Sequence, residues 1–116
     1  MSTKKWVVML SVVLFGTAAL AQAPDKKTER LWKSKCSSCH GAEGKADTKK
    51  GKEMKVRDMS TADYTAKLKD EDIRKSMLEG INRTEGGVKQ EMESFEDTLK
   101  PEQMDALVAY VRALKK

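Results

Sequence analysis

The sequence predicts an all-α domain of about four helices, and three observations support this fold class. Where apolar residues recur regularly, they recur at the spacing of a helix, and no segment shows the alternation of polar and apolar residues that is typical of a strand. Aromatic residues make up 5% of the 116 residues and charged residues 35%, so the polypeptide alone offers little apolar bulk for a core. Turn residues separate the periodic segments, but no repeat or linker indicates a second domain.

The N-terminus has the three-part layout of a secretory signal peptide. Lys4 and Lys5 precede an apolar run over residues 6–20, and small residues follow. A retained membrane anchor is the competing interpretation, but the run is shorter than the roughly 20 residues that a spanning helix needs. We therefore expect the segment to be removed.

Two overlapping A-x-A sites could direct this cleavage. A cut after Ala23 would leave Pro24 at the new terminus, where proline is a poor neighbour, so we expect the cut after Ala21. Residues 1–21 are then the signal peptide, and residues 22–116 form a single domain. The formal charge of +5 falls with the loss of the signal-peptide lysines, and the mildly basic remainder lacks the pattern of a nucleic-acid-binding protein.

The first predicted helix runs from about Lys27 through Cys39, with Leu31 and Trp32 as its apolar residues. Two glycines then interrupt the pattern. Between residues 44 and 59 the chain is rich in lysine and aperiodic, and we expect a loop there.

A short second helix is expected after a cap at Ser60 or Thr61. Tyr64 and Leu68 are spaced at i and i+4, so they fall on one face of this helix.

The third and last helices have clear start and stop signals. The third begins near Asp70, where acidic residues suit the helix dipole, and ends at Gly80. Its apolar face consists of Ile73, Met77, Leu78 and Ile81.

From residue 82 to residue 91 the chain is polar with two adjacent glycines, which predicts a flexible connection. The last helix opens at Pro101, a favourable first helical residue. Its apolar side consists of Met104, Leu107, Val108, Val111 and Leu114.

One short motif carries the chemistry of the chain. Residues 36–40 read Cys-Ser-Ser-Cys-His and contain both cysteines and the only histidine, in the C-x-x-C-H pattern of covalent haem attachment. Cys36 and Cys39 share a face of one helical turn, so their thiols can add to two vinyl groups on one edge of a porphyrin. His40 then lies where its imidazole can reach the iron. The predicted helices would accordingly pack around one covalently attached haem.

Three other uses of this motif fit the sequence less well. A structural zinc site needs four ligands, and the chain has no second cysteine or histidine pair. A thioredoxin-type redox pair needs a strand-to-helix junction, which the pattern does not predict. A disulfide that closes so small a loop would contribute little stability.

With this motif in place, the mature chain resembles a small bacterial class I cytochrome c over nearly its whole length. Trp32 stands four residues before Cys36, where the family has an aromatic residue, and Thr28 stands where a glycine is frequent. The stretch of residues 39–44 resembles the glycine-containing segment that follows the family's motif. The last helix offers the aromatic and aliphatic residues that the family packs on the first helix, here Leu107, Tyr110 and Val111. The resemblance implies the cytochrome c fold, a single haem c and export to the periplasm, where such haem attachment takes place.

The sixth iron ligand is not determined by the motif alone. The mature chain offers Met54, Met59, Met77, Met92 and Met104. Met77 and Met104 fall on apolar helix faces, where methionine usually fills a core. Met92 lies between the glycine-containing segment and the last helix, where the family has its methionine loop, so we expect His40 and Met92 as axial ligands. Met59, at the end of the long loop, is the alternative.

Two departures from the family pattern concern prolines. The family commonly has a proline after the haem motif, beside the carbonyl that orients the histidine, but Thr48, Lys49 and Lys50 stand in that region. A proline frequently follows the family's methionine ligand, whereas Glu93 follows Met92 here.

The resemblance implies a soluble one-electron carrier without catalytic acid or base residues. A haem enzyme or gas sensor, and a subunit docked permanently to an oxidoreductase, are the alternatives. The partners would be redox proteins, and lysines near the haem edge would steer acidic ones toward it; a merely solvated face is an equally good interpretation of these lysines. They are Lys33, Lys35, Lys45, Lys49, Lys50, Lys52, Lys55 and Lys89.

Overall fold

The computed structural model describes Ser11 and residues 25–114. These residues form six helices and one two-stranded sheet. In chain order the elements are α1 (Lys26–Lys35), α2 (Ser37–His40), α3 (Lys49–Glu53), α4 (Ala62–Lys67), α5 (Asp70–Glu79), β1 (Ile81–Glu85), β2 (Val88–Met92) and α6 (Pro101–Ala113). The predicted signal peptide lies outside the described residues, apart from Ser11, and so do both of its cleavage sites.

The helical class is correct, but the single first helix that the sequence predicts is divided in two. Cys36 separates α1 from α2 with φ −119° and ψ −40°. Its N–H donates to the carbonyl of Trp32, while its own carbonyl accepts from the N–H groups of Cys39 and His40. The haem motif therefore occupies a separate helical turn that is joined to the end of α1.

The lysine-rich segment between residues 44 and 59, predicted as a loop, contains α3. Thr48 caps this helix, because its hydroxyl accepts from the N–H of Gly51 at 3.0 Å. A five-residue helix has almost no stability of its own. It forms here because tertiary contacts at Gly51, described below, hold it against the haem motif.

The segment predicted as a flexible connection is instead a β-hairpin, which makes the all-α class only approximately right. Ile81 pairs with Met92 at the base of the hairpin, and Glu85 pairs with Val88 at its tip. Gly86 and Gly87 form the turn with φ of +57° and +76°. Positive φ at both central residues is what the type I′ hairpin turn requires. Ile81, which the sequence assigned to the helix before it, begins β1.

The core lies where α1 and α5 pack against α6. Trp32 is at its centre with 2% of its surface exposed, and its ring centroid lies 5.1 Å from that of Tyr110. The buried cluster consists of Trp32, Cys36, Met59, Ile73, Met77, Phe95, Leu99, Met104, Leu107, Val108 and Val111. Most of these residues come from the predicted apolar faces of the helices.

The end of α6 is tied to the segment between α4 and α5. The guanidinium of Arg112 donates to the carbonyl of Thr65 at 2.7 Å, to the carbonyl of Leu68, and to the carboxylate of Asp70 at 2.6 Å. In the part of the chain that the structure describes, no helix is long and apolar enough to cross a membrane.

Candidate haem site

The two cysteines of the motif differ in their surroundings. Cys36 is buried in the core cluster with 8% of its surface exposed, whereas Cys39 is partly exposed. Burial raises the pKa of the Cys36 thiol to about 11. Both thiols are free, so the motif does not form the small disulfide loop in this structure.

Contacts from both sides fix the helical turn that carries the motif. On one side, the indole N–H of Trp32 donates to the carbonyl of Gly41 at 3.1 Å. On the other side, the hydroxyl of Thr48 donates to the carbonyl of Cys39 at 3.1 Å. A Cβ atom on Gly51 would lie 2.5 Å from that same carbonyl oxygen, so only glycine lets α3 approach so closely. These contacts hold His40 in place through its backbone.

The imidazole of His40 fits a ring that coordinates a group outside the polypeptide. Its Nδ1 is buried and has no hydrogen-bond partner among the residues that the structure describes. A buried polar atom without a partner costs free energy, and such atoms in proteins call for a bound group or ion. Burial also lowers the pKa of His40, which favours the neutral imidazole that binds metals.

His40 forms one wall of an open cleft with a volume of about 200 Å³. The apolar lining comes from the segment after α3, from α4 and from the start of the hairpin: Met54, Val56, Met59, Tyr64, Leu68 and Ile81. The polar lining consists of Arg57, Ser76, Arg83, Gln90 and Glu91. A largely apolar cleft in front of a metal-binding imidazole, with two adjacent thiols, is the donor set and surface that a covalently attached haem requires.

The candidate sixth ligands are distributed between the core and the cleft. Met77 and Met104 are 6% and 2% exposed in the core, which confirms that they fill it. Met54 and Met59 line the cleft together with His40, and Met59 is 5% exposed. Met92 is partly buried against the core and is not among the lining side chains.

The hairpin register places Met92 on the same face of the sheet as three residues that line the cleft. Residues that are opposite each other in an antiparallel pair project to the same face of the sheet, as do residues i and i+2 of one strand. Met92 is opposite Ile81, and Gln90 is opposite Arg83. Ile81, Arg83 and Gln90 all line the cleft, so Met92 shares their face of the sheet.

The segment that carries Met92 is anchored before and after it. Before it, the Gln90 side-chain amide donates to the carbonyl of Met54 at 2.9 Å. After it, the hydroxyl of Ser94 donates to the carbonyl of Leu78 at 2.6 Å, and the N–H of Phe95 donates to the carbonyl of Met77 at 2.8 Å. The last two donors satisfy carbonyls at the C-terminal end of α5, which have no partner within the helix.

Sequence reasoning missed the residues that position the motif and the methionine segment. Thr48 and Gly51 have the spacing of a helix cap and its third residue, which is a readable signal. The roles of Gln90 and Arg83 could not be predicted from the sequence. Their side chains meet only because the two strands pair, and the sequence pattern does not predict that hairpin. Among the described residues, no group of three or more His, Cys, Asp or Glu side chains is arranged to hold a metal ion.

The lysines considered for partner docking are all exposed. Two of them form surface ion pairs, Lys45 with Glu43 at 3.1 Å and Lys89 with Glu91 at 2.7 Å. Exposed pairs of this kind contribute little to stability.

Comparisons with known proteins point to one family. The cytochrome c family model matches residues 26–115. The solved structure of the KustC0563 c-type cytochrome is similar with a TM-score of 0.64 and 31% identity, over 77% of this chain and 98% of that chain. A mutant of Kustc0563 with a tyrosine replaced by phenylalanine gives a TM-score of 0.62 and 32% identity, over 76% and 98% of the two chains. No curated protein matches the chain.

The family match covers nearly all of the described residues, and the predicted resemblance of the chain to the cytochrome c family is thereby confirmed. The chain belongs to the cytochrome c family, the electron-transfer proteins that bind haem c covalently.

Proposed function

We propose that this protein is a mono-haem electron carrier that works in the periplasm, with Cys36 and Cys39 as the haem attachment sites and His40 and Met92 as the axial ligands. The observation that carries the proposal is the position of His40 beside the two cysteines, with a buried unpaired ring nitrogen at the wall of an apolar cleft. Membership of the cytochrome c family supports electron transfer as the activity.

The two thiols would hold the cofactor by addition of each S–H across a vinyl C=C bond, which needs no oxidant and releases no leaving group. Cys36 starts the helical turn and Cys39 ends it beside His40. The bound haem iron supplies one-electron exchange between its ferric and ferrous states. Trp32 would shield the core side of this group from water, since its ring centroid lies 5.9 Å from that of His40 and the side chain is 2% exposed.

Met92 is the proposed sixth ligand because of its position on the hairpin and its fixed backbone. It shares a sheet face with three cleft-lining residues, and hydrogen bonds anchor the chain on both sides of it. Met59 lines the cleft but is buried in the core, and its backbone N–H donates to the carbonyl of Gly44 at 2.8 Å. A thioether ligand and a buried haem both favour ferrous iron and raise the reduction potential.

With both axial positions filled, the protein would exchange electrons through brief docking rather than turn over a substrate. Redox interfaces of this kind are small and short-lived. The exposed lysines around the motif would raise the association rate with acidic partners. The proposed signal peptide would deliver the chain to the periplasm.

Optical spectra of the purified ferric and ferrous protein test these assignments. We expect haem to stay with the polypeptide after denaturation and acid extraction, and either Cys36→Ala or Cys39→Ala to lower the yield of holoprotein sharply. Release of all haem into organic solvent would refute covalent attachment.

The axial ligand is tested by a matched pair of variants. Met92→Ala should abolish the weak long-wavelength band of methionine bound to ferric iron, lower the reduction potential and admit cyanide or carbon monoxide. Met59→Ala should keep the band. The opposite result would make Met59 the ligand and leave the haem assignment intact.

A further inference from the structure

A chain of hydrogen bonds connects the hairpin to the segment after α3. The guanidinium Nε of Arg83 donates to the side-chain oxygen of Gln90 at 2.8 Å, and the Gln90 amide nitrogen donates to the carbonyls of Met54 at 2.9 Å and Lys55 at 3.4 Å. Arg83, Gln90 and Met54 all line the cleft. Among the described residues, these contacts connect positions 35 and 36 residues apart in sequence.

The acceptor side of this connection is a fixed piece of backbone. Met54 directly follows α3 as its C-cap residue, and its backbone N–H donates to the carbonyl of Lys50. Lys55 has φ +50°, an unusual backbone conformation for a residue with a side chain. The carbonyl of Met54 lies beyond the helix, so it has no partner within α3, and Gln90 supplies its donor.

The donor side lies next to the proposed sixth ligand. Val88, Gln90 and Met92 are the less exposed residues of β2 and share one face of the strand. Arg83 fixes the orientation of the Gln90 amide, because its guanidinium donates to the amide oxygen. The amide nitrogen is then directed toward the carbonyl of Met54. The side chain of Gln90 thereby fixes the strand at a point two residues before Met92.

We propose that Gln90 is a positioning residue that controls how readily the sixth position of the haem iron opens. Movement of Met92 away from the iron would have to break the hydrogen bonds that Gln90 makes to the segment after α3. The inference depends on the proposed role of Met92. It adds a residue, and a chain of contacts, that determines how long this ligand stays bound.

The test is the rate at which imidazole binds to the ferric holoprotein near pH 7, expressed for the unprotonated imidazole present, since only this form can bind the iron. Gln90→Ala should raise this rate about tenfold, which corresponds to the loss of about 1.4 kcal/mol of closing free energy from two hydrogen bonds. The matched control is Thr84→Ala, a neutral change on the opposite face of the same hairpin, and it should leave the rate unchanged. An unaltered rate for Gln90→Ala would overturn the proposal.

Two further variants separate positioning from general stability. Gln103→Ala removes the side chain that accepts from the N–H of Lys100 at the start of α6. It should lower stability without changing the imidazole rate; an equal rise in rate would show that stability alone controls opening.

Gln90→Glu keeps an oxygen for Arg83 but cannot donate to Met54 at neutral pH. Divided by the wild-type rate at the same pH, its rate should rise at pH 7 and return toward the wild-type value near pH 4, where the introduced carboxyl takes up a proton and can donate again. This ratio removes the effect of acid on imidazole, which becomes protonated over the same range. An increase that persists equally at both pH values would contradict the hydrogen-bond role.

The long-wavelength band distinguishes failure of this proposal from failure of the ligand assignment. If Met92→Ala keeps the band, the ligand assignment fails, whatever the imidazole rates are. If Met92→Ala loses the band and Gln90→Ala leaves the rate unchanged, only the role of Gln90 is refuted.

Discussion

A Cβ atom on Gly80 would lie 2.6 Å from the carbonyl oxygen of Met92. It would also lie 2.9 Å from the N–H nitrogen of Ser94 and 3.0 Å from the carbonyl carbon of Glu93. Gly80 caps α5 with φ +74° and ψ −178°, a region that is essentially restricted to glycine. The absence of a side chain at this residue therefore lets the methionine segment pass directly against the end of α5.

Gly80→Ala should destabilise the protein and disturb methionine ligation together. The expected loss in the free energy of unfolding is about 2–4 kcal/mol, from backbone strain and from the forced displacement of residues 92–94. Chemical denaturation measures the first effect, and the intensity of the long-wavelength ferric band measures the second.

Gly86→Ala is the matched control. Its φ is also positive, at +57°, but nothing lies within 4 Å of the added Cβ atom. We expect only the cost of the backbone conformation, about 1 kcal/mol, and an unchanged band. Equal losses at Gly80 and Gly86 would show that the close contact with Met92 has no energetic importance.

Arg112→Leu should lower the free energy of unfolding by about 2–3 kcal/mol, because hydrogen bonds from a charged donor to two carbonyls and a carboxylate are lost together. The Arg112 side chain is 27% exposed. Arg74→Leu is the comparison, since Arg74 makes a single exposed pair with Asp105 at 2.9 Å. It should cost less than about 1 kcal/mol. A similar cost for both variants would contradict the role of Arg112 as the tie between α6 and the segment before α5.

The cap of α1 should make stability depend on acidity. The carboxylate of Asp25 accepts from the N–H of Thr28 at 2.7 Å. Hydrogen bonding with Thr28 lowers the pKa of the Asp25 carboxyl below the ordinary 3.8. The folded state thus holds this proton less tightly than the unfolded state does. The stabilisation is complete above the unfolded pKa and is lost as the pH falls through the lower, folded pKa.

Asp25→Ala should accordingly lower the midpoint of thermal unfolding at pH 7, and its difference from the wild type should shrink below about pH 4. Asp25→Asn keeps a hydrogen-bond acceptor but has no titrating group. Its difference from the wild type in the unfolding midpoint should therefore be smaller at pH 7 than that of Asp25→Ala, and should change over the same pH range. A difference between wild type and Asp25→Ala that is constant from pH 7 to pH 3 would refute the cap's contribution.

The chain without haem should be largely disordered or molten at room temperature. Its small aromatic content must offset the conformational entropy of every ordered residue, and a domain of this size buries a modest fraction of its surface. Far-ultraviolet circular dichroism of the double variant Cys36→Ala with Cys39→Ala measures this. A cooperative and fully helical apo form would show that the haem does not organise the core.

Local signals predicted the two longest C-terminal helices accurately. The third predicted helix begins at Asp70 and is capped by Gly80, and the last begins at Pro101, as the sequence indicated. A glycine cap and a proline at the first helical position act within one turn, so neighbours in sequence are enough to recognise them. The core positions of Met77 and Met104 followed from the same helical periodicity.

The elements that the sequence did not predict depend on distant contacts. The hairpin strands are mostly polar and exposed, so they lack the alternation of polar and apolar residues that marks a buried strand. Without that alternation, the Gly86–Gly87 pair predicts a flexible connection. A two-residue glycine turn between equal segments is in fact a hairpin signal. Helix α3 is stable only because Gly51 fits against Cys39, a contact that no local pattern encodes.

The separation of the proposed ligands along the chain has a consequence for how the protein matures. Cys36 and Cys39 are only three residues apart, so their spacing along the chain keeps the two thiols close before the rest of the fold has formed. Met92 reaches its position only after the hairpin, the Gly80 contact and the Gln90 contacts have formed. Haem attachment can therefore precede folding in a newly made chain, and the attached porphyrin can then serve as the template on which the helices assemble. Red colour in a preparation would report that attachment has occurred, whereas the methionine band would report that folding is complete.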